Sequence, residues 1–202
     1  LINLLPSGVS KLSDIKISAN WMASPDNAQR KTDLFNTVKE LTQKVCKPWR
    51  IAVPVGKDSL SMKTIWQKDK KTNLSPQSLI ISAFTKIKNV KKSITPQLIN
   101  SNELSLVYLD LSKTKKRLGG SILSEVTQQT NLETPNLECI DEFPKIYNYL
   151  ATKIDKKRIF SFHDISDGGL IVSAVEMMLA GGCGLNLDLS KNPLIIPSET
   201  CF

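Results

Sequence analysis

The sequence predicts a mixed α+β and α/β protein in two lobes, strand-rich over residues 1–92 and α/β over residues 93–202. Three observations predict it. Apolar, strand-like runs at 15–22, 51–55, 61–66 and 79–87 surround a single helical pattern at 32–46. Further on, strand-like runs at 104–111, 159–162 and 184–189 alternate with helical patterns at 122–129, 139–153 and 169–179. Between the two regions, residues 88–102 are polar and contain Pro96, the composition of a boundary.

Ile15-Lys16-Ile17-Ser18-Ala19-Asn20-Trp21-Met22 alternates as a half-buried strand does, and Ser24-Pro25-Asp26-Asn27 then reads as a turn. Leu34, Val38, Leu41 and Val45 recur at helical spacing, with Thr32 or Asp33 as the expected cap and Pro48 as the expected stop. Residues 51–55 predict a strand that breaks into a polar loop at Gly56. Residues 68–76 predict a turn region, and 79–87 a strong strand. In the second lobe, Ile140, Phe143, Tyr147 and Leu150 share one helical face, and Gly181-Gly182 stops the last helix. The expected closing element after residue 189 is not visible in the sequence.

Composition narrows the function. Hydrophobic residues are 41% and charged residues 23% of the 202, ordinary for a globular protein. No apolar run approaches the ~20 residues of a membrane span, so no membrane partner is expected. Leu1-Ile2-Asn3-Leu4-Leu5-Pro6 lacks the basic region and long apolar core of a signal peptide, and without an initiator Met the chain is expected to begin mid-protein. The four cysteines form no C-x-x-C pair and there is one His, which argues against zinc and for reduced thiols in the cytoplasm. A net charge of +8 raises nucleic acid as a partner. Lysine outnumbers arginine, the basic runs lie beside turns, and only Trp66 and Phe84 accompany them, so no nucleic-acid partner is expected.

Two polar runs carry the chemistry. The first is Pro54-Val55-Gly56-Lys57-Asp58-Ser59-Leu60-Ser61-Met62. It does not match a Walker loop. Gly56 permits close backbone approach, Lys57 supplies a point charge for phosphate, Ser59 supplies a hydroxyl, and Asp58 is placed to hold Mg²⁺ or orient Lys57. A polar β-turn accounts for the same residues, and spacing alone leaves both readings open.

The second run is His163-Asp164-Ile165-Ser166-Asp167-Gly168-Gly169-Leu170, which opens a helix. Helix N-termini favour anions, and a phosphate beside two carboxylates needs a cation, so Asp164 with Mg²⁺ is the coherent reading. A simple cap by Ser166 or Asp167 is the alternative and is compatible with it. Gly119-Gly120-Ser121 is a weaker phosphate-type turn, better explained by packing. His163 reads as a structural histidine and the tryptophans as packing residues.

These runs, with Ser18-Ala19-Asn20-Trp21-Met22 and Ile94-Thr95-Pro96-Gln97-Leu98, resemble the large single-chain phosphoribosylformylglycinamidine synthases in motif and order over essentially the whole chain. The resemblance implies most of the second half of two aminoimidazole-ribonucleotide-synthetase-like halves. Its strand-rich lobe would pair with the other half in a shared barrel. The family uses ATP to convert formylglycinamide ribonucleotide to an iminophosphate, which ammonia from glutamine turns into the amidine.

The first half carries the principal active site, so no catalytic residue is assigned to this chain. The resemblance implies that the second half holds a nucleotide (ATP or ADP) with Mg²⁺. Carried over by position, the resemblance implies Asn3 and Asp164 as metal ligands, Ser166 as a nucleotide contact, and Gly56, Lys57 and Ser59 as residues facing phosphate. Two acidic ligands are expected upstream of Leu1, and no cysteine matches a glutaminase nucleophile. Expected partners are therefore the first half, the glutaminase and a small-molecule nucleotide. The rival readings are a non-catalytic scaffold module and a stand-alone ATP-dependent synthetase of the aminoimidazole-ribonucleotide or selenophosphate type.

Overall fold

Alternation along strand β1 (Lys16–Met22) and the residue before it puts Ile15, Ile17 and Ala19 on one side, and all three are buried. The structure, a computed structural model, describes residues 1–68, 70–113, 115, 117–129 and 132–188. The architecture is mixed α+β. The chain divides into two units: Leu1 with Val9–Ile87, and Ile2–Gly8 with the chain from Lys88 onward. Among the described residues, no helix is long and apolar enough to cross a membrane.

In unit 1, β1 is the middle of a three-stranded sheet. It pairs in parallel with β2 (Ala52–Ser59) and antiparallel with β5 (Ser78–Phe84). A separate hairpin joins β3 (Lys63–Trp66) to β4 (Lys71–Leu74).

Two expectations change here. Gly56-Lys57-Asp58-Ser59 is not a loop: Gly56, Lys57, Asp58 and Ser59 pair with Ala19, Asn20, Trp21 and Met22. The run is polar because β2 is an edge strand with solvated faces, and composition alone does not separate that from a turn. Likewise β4 lies within the expected turn region of 68–76. Its polar residues are tolerated because the hairpin is exposed, and the tight reversal falls at Lys70, with φ 50°.

Helix α1 (Ala28–Glu40) starts earlier than its apolar spacing suggests. Asn27 caps it, its Oδ1 accepting from the Arg30 N–H at 2.9 Å. Thr32 donates back to the Ala28 carbonyl, so it is an interior residue, and neither it nor Asp33 is the cap. Pro48 is not the stop. The helix widens into a π-helical turn over Leu41–Cys46 and continues as α2 (Lys47–Trp49). A widened turn accommodates the proline ring and its missing N–H. The turn is broken at Arg50, which is left-handed at φ 57°.

Unit 2 is built from helices α3 (Ile122–Val126), α4 (Phe143–Asp155) and α5 (Gly169–Gly181). Phe143, Tyr147, Ala151 and Ile154 form the buried stripe of α4 at i, i+4, i+8 and i+11. The helix begins after a turn at 138–142, with Pro144 in its first turn, where a missing N–H costs little. The strands expected at 104–111, 159–162 and 184–188 form no β-ladder among the described residues; Leu189 lies outside them. Alternation signals strand propensity, but a ladder needs a neighbour to bond. Val107 is 79% exposed, so this run has no covering layer within the described residues.

Tyr147 is 1% exposed, and its hydroxyl has no hydrogen-bond partner among the described residues. Burial pushes its pKa up to about 12 from the ordinary value of 10. The folded state therefore holds the phenol proton more tightly than the unfolded state does. The stability due to the neutral form is intact below about pH 10 and is lost as pH rises towards about 12. Urea titrations should show that loss in the parent and its reduction in Tyr147→Phe. At pH 7 the Phe variant should be as stable or more so, by about 1 kcal/mol, because a buried hydroxyl without a partner is removed. A Phe variant clearly less stable at pH 7 would contradict the account.

Candidate functional site

On β2, side chains alternate between faces, so Lys57 and Ser59 share one face and Asp58 lies on the other. Lys57 Nζ donates to Ser59 Oγ at 3.0 Å, and both are accessible to solvent. The expected role of Asp58 in orienting Lys57 is therefore corrected: the hydroxyl two residues on is the partner, and the alternation of the strand is the reason. The Lys57–Ser59 pair offers a cation and a hydroxyl to an anion. Gly56 is extended without positive φ, and a methyl at its α-carbon would sit 3.8 Å from the Trp21 ring, an ordinary contact. Packing within the chain does not demand glycine there.

The second site belongs to unit 2. Asn3 lies exposed in the 3-10 turn Ile2–Ser7, which is anchored by the buried Leu5. Asp164 precedes α5, with its side chain 37% exposed and Oδ1 3.7 Å from His163 Nδ1. Its carbonyl meets His163 Nδ1 at 2.7 Å and accepts from Ser173 Oγ at 3.3 Å. These bonds hold the main chain of Asp164, and its side chain stays partly accessible to solvent.

Ser166 is exposed, and its carbonyl accepts from the Gly169 N–H at 3.0 Å. Neither Ser166 nor Asp167 caps α5 with its side chain, contrary to one expectation. Gly168 occupies the cap at φ 83°. A Cβ there would lie 2.4 Å from Val172 Cγ2, so both conformation and space exclude larger residues.

Glu176 is the residue that pattern reading missed. Its Oε2 lies 2.8 Å from His163 Nε2, and both ring nitrogens of His163 are thus engaged. The signal was present: Glu176 is the single charged residue in the α5 sequence GLIVSAVEMMLAG. Gly119-Gly120-Ser121 serves packing. Gly119 is pressed against the main chain of Leu132 and Glu133, and its N–H bonds the Glu133 carbonyl at 2.9 Å. Ser121 caps the short α3.

One concavity of about 180 Å³ in unit 1 is lined by Ala23, Ser24, Arg30, Asp33 and Gln77, and it contains none of the expected site residues. Among the described residues, no group of three or more His, Cys, Asp or Glu is arranged for a metal.

Residues 1–86 match the model of the FGAR-AT PurM_N-like domain. Residues 105–200 match the C-terminal domain of AIR synthase related proteins. The chain belongs to the FGAR amidotransferase and AIR-synthase-like synthetase family. The domains of this family are ATP-utilising and belong to purine biosynthesis. The donor chemistry of this member can be tested against that. Mg²⁺ takes oxygen ligands, keeps several waters, and uses one or two carboxylates plus substrate phosphates. The exposed Asn3 amide and the partly exposed Asp164 carboxylate are donors of that class, so the residues present fit Mg²⁺ arriving with a phosphate.

Because Gly56 is free of strain, Gly56→Ala should change folding stability by less than about 1 kcal/mol in either direction. Thermal or urea melts check this. A loss of several kcal/mol would mean that the strand approaches another part of the chain more closely than its 3.8 Å contact implies.

Proposed function

We propose that this chain is the nucleotide-holding, second synthetase-like part of a phosphoribosylformylglycinamidine synthase. The parent reaction is the ATP- and glutamine-dependent conversion of formylglycinamide ribonucleotide to formylglycinamidine ribonucleotide. The single observation that carries the reading is the start of α5. Among the described residues no side chain caps this 13-residue helix, and Asp164 stands beside its N-terminus with a partly exposed carboxylate. A helix start of that kind favours a bound phosphate through its N–H groups and dipole. The adjacent carboxylate makes the phosphate unwelcome without a cation.

Within this reading each residue has a defined task. The main chain from Gly169 onward and the Ser166 hydroxyl bind nucleotide phosphate. Asp164 and Asn3 would hold Mg²⁺, which would supply positive charge to offset that of the phosphate. Lys57 and Ser59 offer a separate phosphate contact on unit 1. None of these residues transfers a proton or attacks a substrate, so the chain is assigned binding and no catalytic step. Ammonia supply and the principal chemistry fall to the remaining domains of the parent protein, which acts in the cytoplasm.

A bracing role accompanies binding. Ile80 and Phe84 of β5 are 51% and 49% exposed, and both share a sheet face with Ser82. Burying each 100 Å² of such surface is worth about 2.5 kcal/mol. That supports contact with the first synthetase-like half.

In the intact polypeptide, Asp164→Ala should weaken ADP binding in the presence of Mg²⁺ by at least about tenfold, since even residues that merely orient metal ligands are worth about 10–100-fold. Binding of ADP in excess chelator should change far less. Calorimetry with and without Mg²⁺ checks both. Unchanged Mg²⁺-dependent affinity would remove Asp164 from the site.

A further inference from the structure

The motif Ile94-Thr95-Pro96-Gln97-Leu98 has no task in the reading above, yet it is bonded at nearly every step within unit 2. The Ile94 N–H donates to the Pro6 carbonyl at 2.8 Å. Ser93 Oγ donates to the Ser7 carbonyl at 3.1 Å, from a partly buried position. Both acceptors close the 3-10 turn that carries Asn3. The Thr95 carbonyl accepts from the Phe162 N–H at 3.1 Å, two residues before Asp164. The Leu98 N–H donates to the Met177 carbonyl of α5 at 3.2 Å. Leu98 also lies so close to Gly181 that a Cβ there would be 2.3 Å from its carbonyl oxygen.

Six consecutive residues thus bind three separate pieces of chain: the turn bearing Asn3, the segment bearing Asp164, and the helix that follows Ser166. The six are also stiff. Pro96 fixes its own φ and restricts Thr95 before it. Lys92, one residue upstream, pairs with Asp155 at the end of α4.

We infer that residues 93–98 are a positioning strap that sets the Asn3 amide relative to the Asp164 carboxylate, with Ser93 acting on the metal through Asn3. The inference rests on the nucleotide–metal reading of Asn3 and Asp164. It assigns Ser93 a role beyond holding the fold together. A purely structural bond would affect melting, whereas a positioning bond affects the metal in a way that depends on Asn3.

The test uses the intact polypeptide with Mn²⁺ as the probe metal and ADP as the nucleotide, reading free and bound Mn²⁺ by paramagnetic resonance. Ser93→Ala should weaken Mn²⁺ binding in the presence of ADP about two- to tenfold, the range of one hydrogen bond. Ser93→Thr keeps a hydroxyl and should restore it. ADP binding in chelator should stay at the parent value in both. The deciding comparison is a double-mutant cycle. Ser93→Ala combined with Asn3→Ala should bind Mn²⁺ no more weakly than Asn3→Ala alone. Fully additive losses would overturn the strap's action through Asn3, as would parent-like Mn²⁺ binding in Ser93→Ala when Asn3→Ala is impaired. If Asn3→Ala and Asp164→Ala both bind Mn²⁺ with ADP as the parent does, the metal assignment fails and the strap's role falls with it.

Discussion

Unit 1 depends on the double pairing of β1. Parallel bonds to β2 on one side, in continuous register from Ser18 to Met22 after a shift between Lys16 and Ser18, and antiparallel bonds to β5 on the other fix its place in the sheet. A slip of one residue would turn Ile17 and Ala19 outward and Lys16 and Ser18 inward. The same pairing holds Gly56–Ser59 as strand, and the alternation of that strand then places the cationic and hydroxyl side chains of Lys57 and Ser59 together on one face. The polar character of the Gly56–Ser59 run is thus compatible with regular structure. Its backbone is satisfied by β1, and its side chains remain available to an anion.

Much of the architecture was legible in the sequence because its signals are local. The alternation of Ile15, Ile17 and Ala19, the stripe of Phe143 and Tyr147, and the glycines around α5 report backbone shape directly. The missed features depend on a partner. Residues 52–59 and 71–74 are strands because a neighbour bonds them, despite a composition that suits turns. Residues 104–111 have strand-like alternation but no neighbour among the described residues to form a ladder. Caps fall in the same class: Asn27, not Thr32 or Asp33, is close enough to meet the free N–H groups of α1, and at α5 a left-handed Gly168 takes a place expected for Ser166 or Asp167.

For the candidate site, residue identity was more legible than residue relation. The sequence marked Asp164, Ser166, Lys57 and Ser59 by type and position. It could not show that Lys57 is partnered by Ser59 instead of Asp58, because that depends on the strand's alternating faces. Nor could it show Glu176 reaching His163 from two turns into α5. The chemistry that results is economical. A carboxylate beside an uncapped helix start is poorly suited to phosphate or cation alone, and well suited to both together.

The central claim is that Asn3 and the Asp164–Gly169 turn hold one metal–nucleotide ligand. Hydrogen–deuterium exchange of the intact polypeptide, with and without Mg²⁺ and ADP, tests it most directly because no residue is altered. The account predicts slowed exchange in two segments distant in sequence, residues 2–8 and 164–172, and only when metal and nucleotide are both present. Unchanged exchange in both segments, or equal protection by ADP without metal, would contradict it.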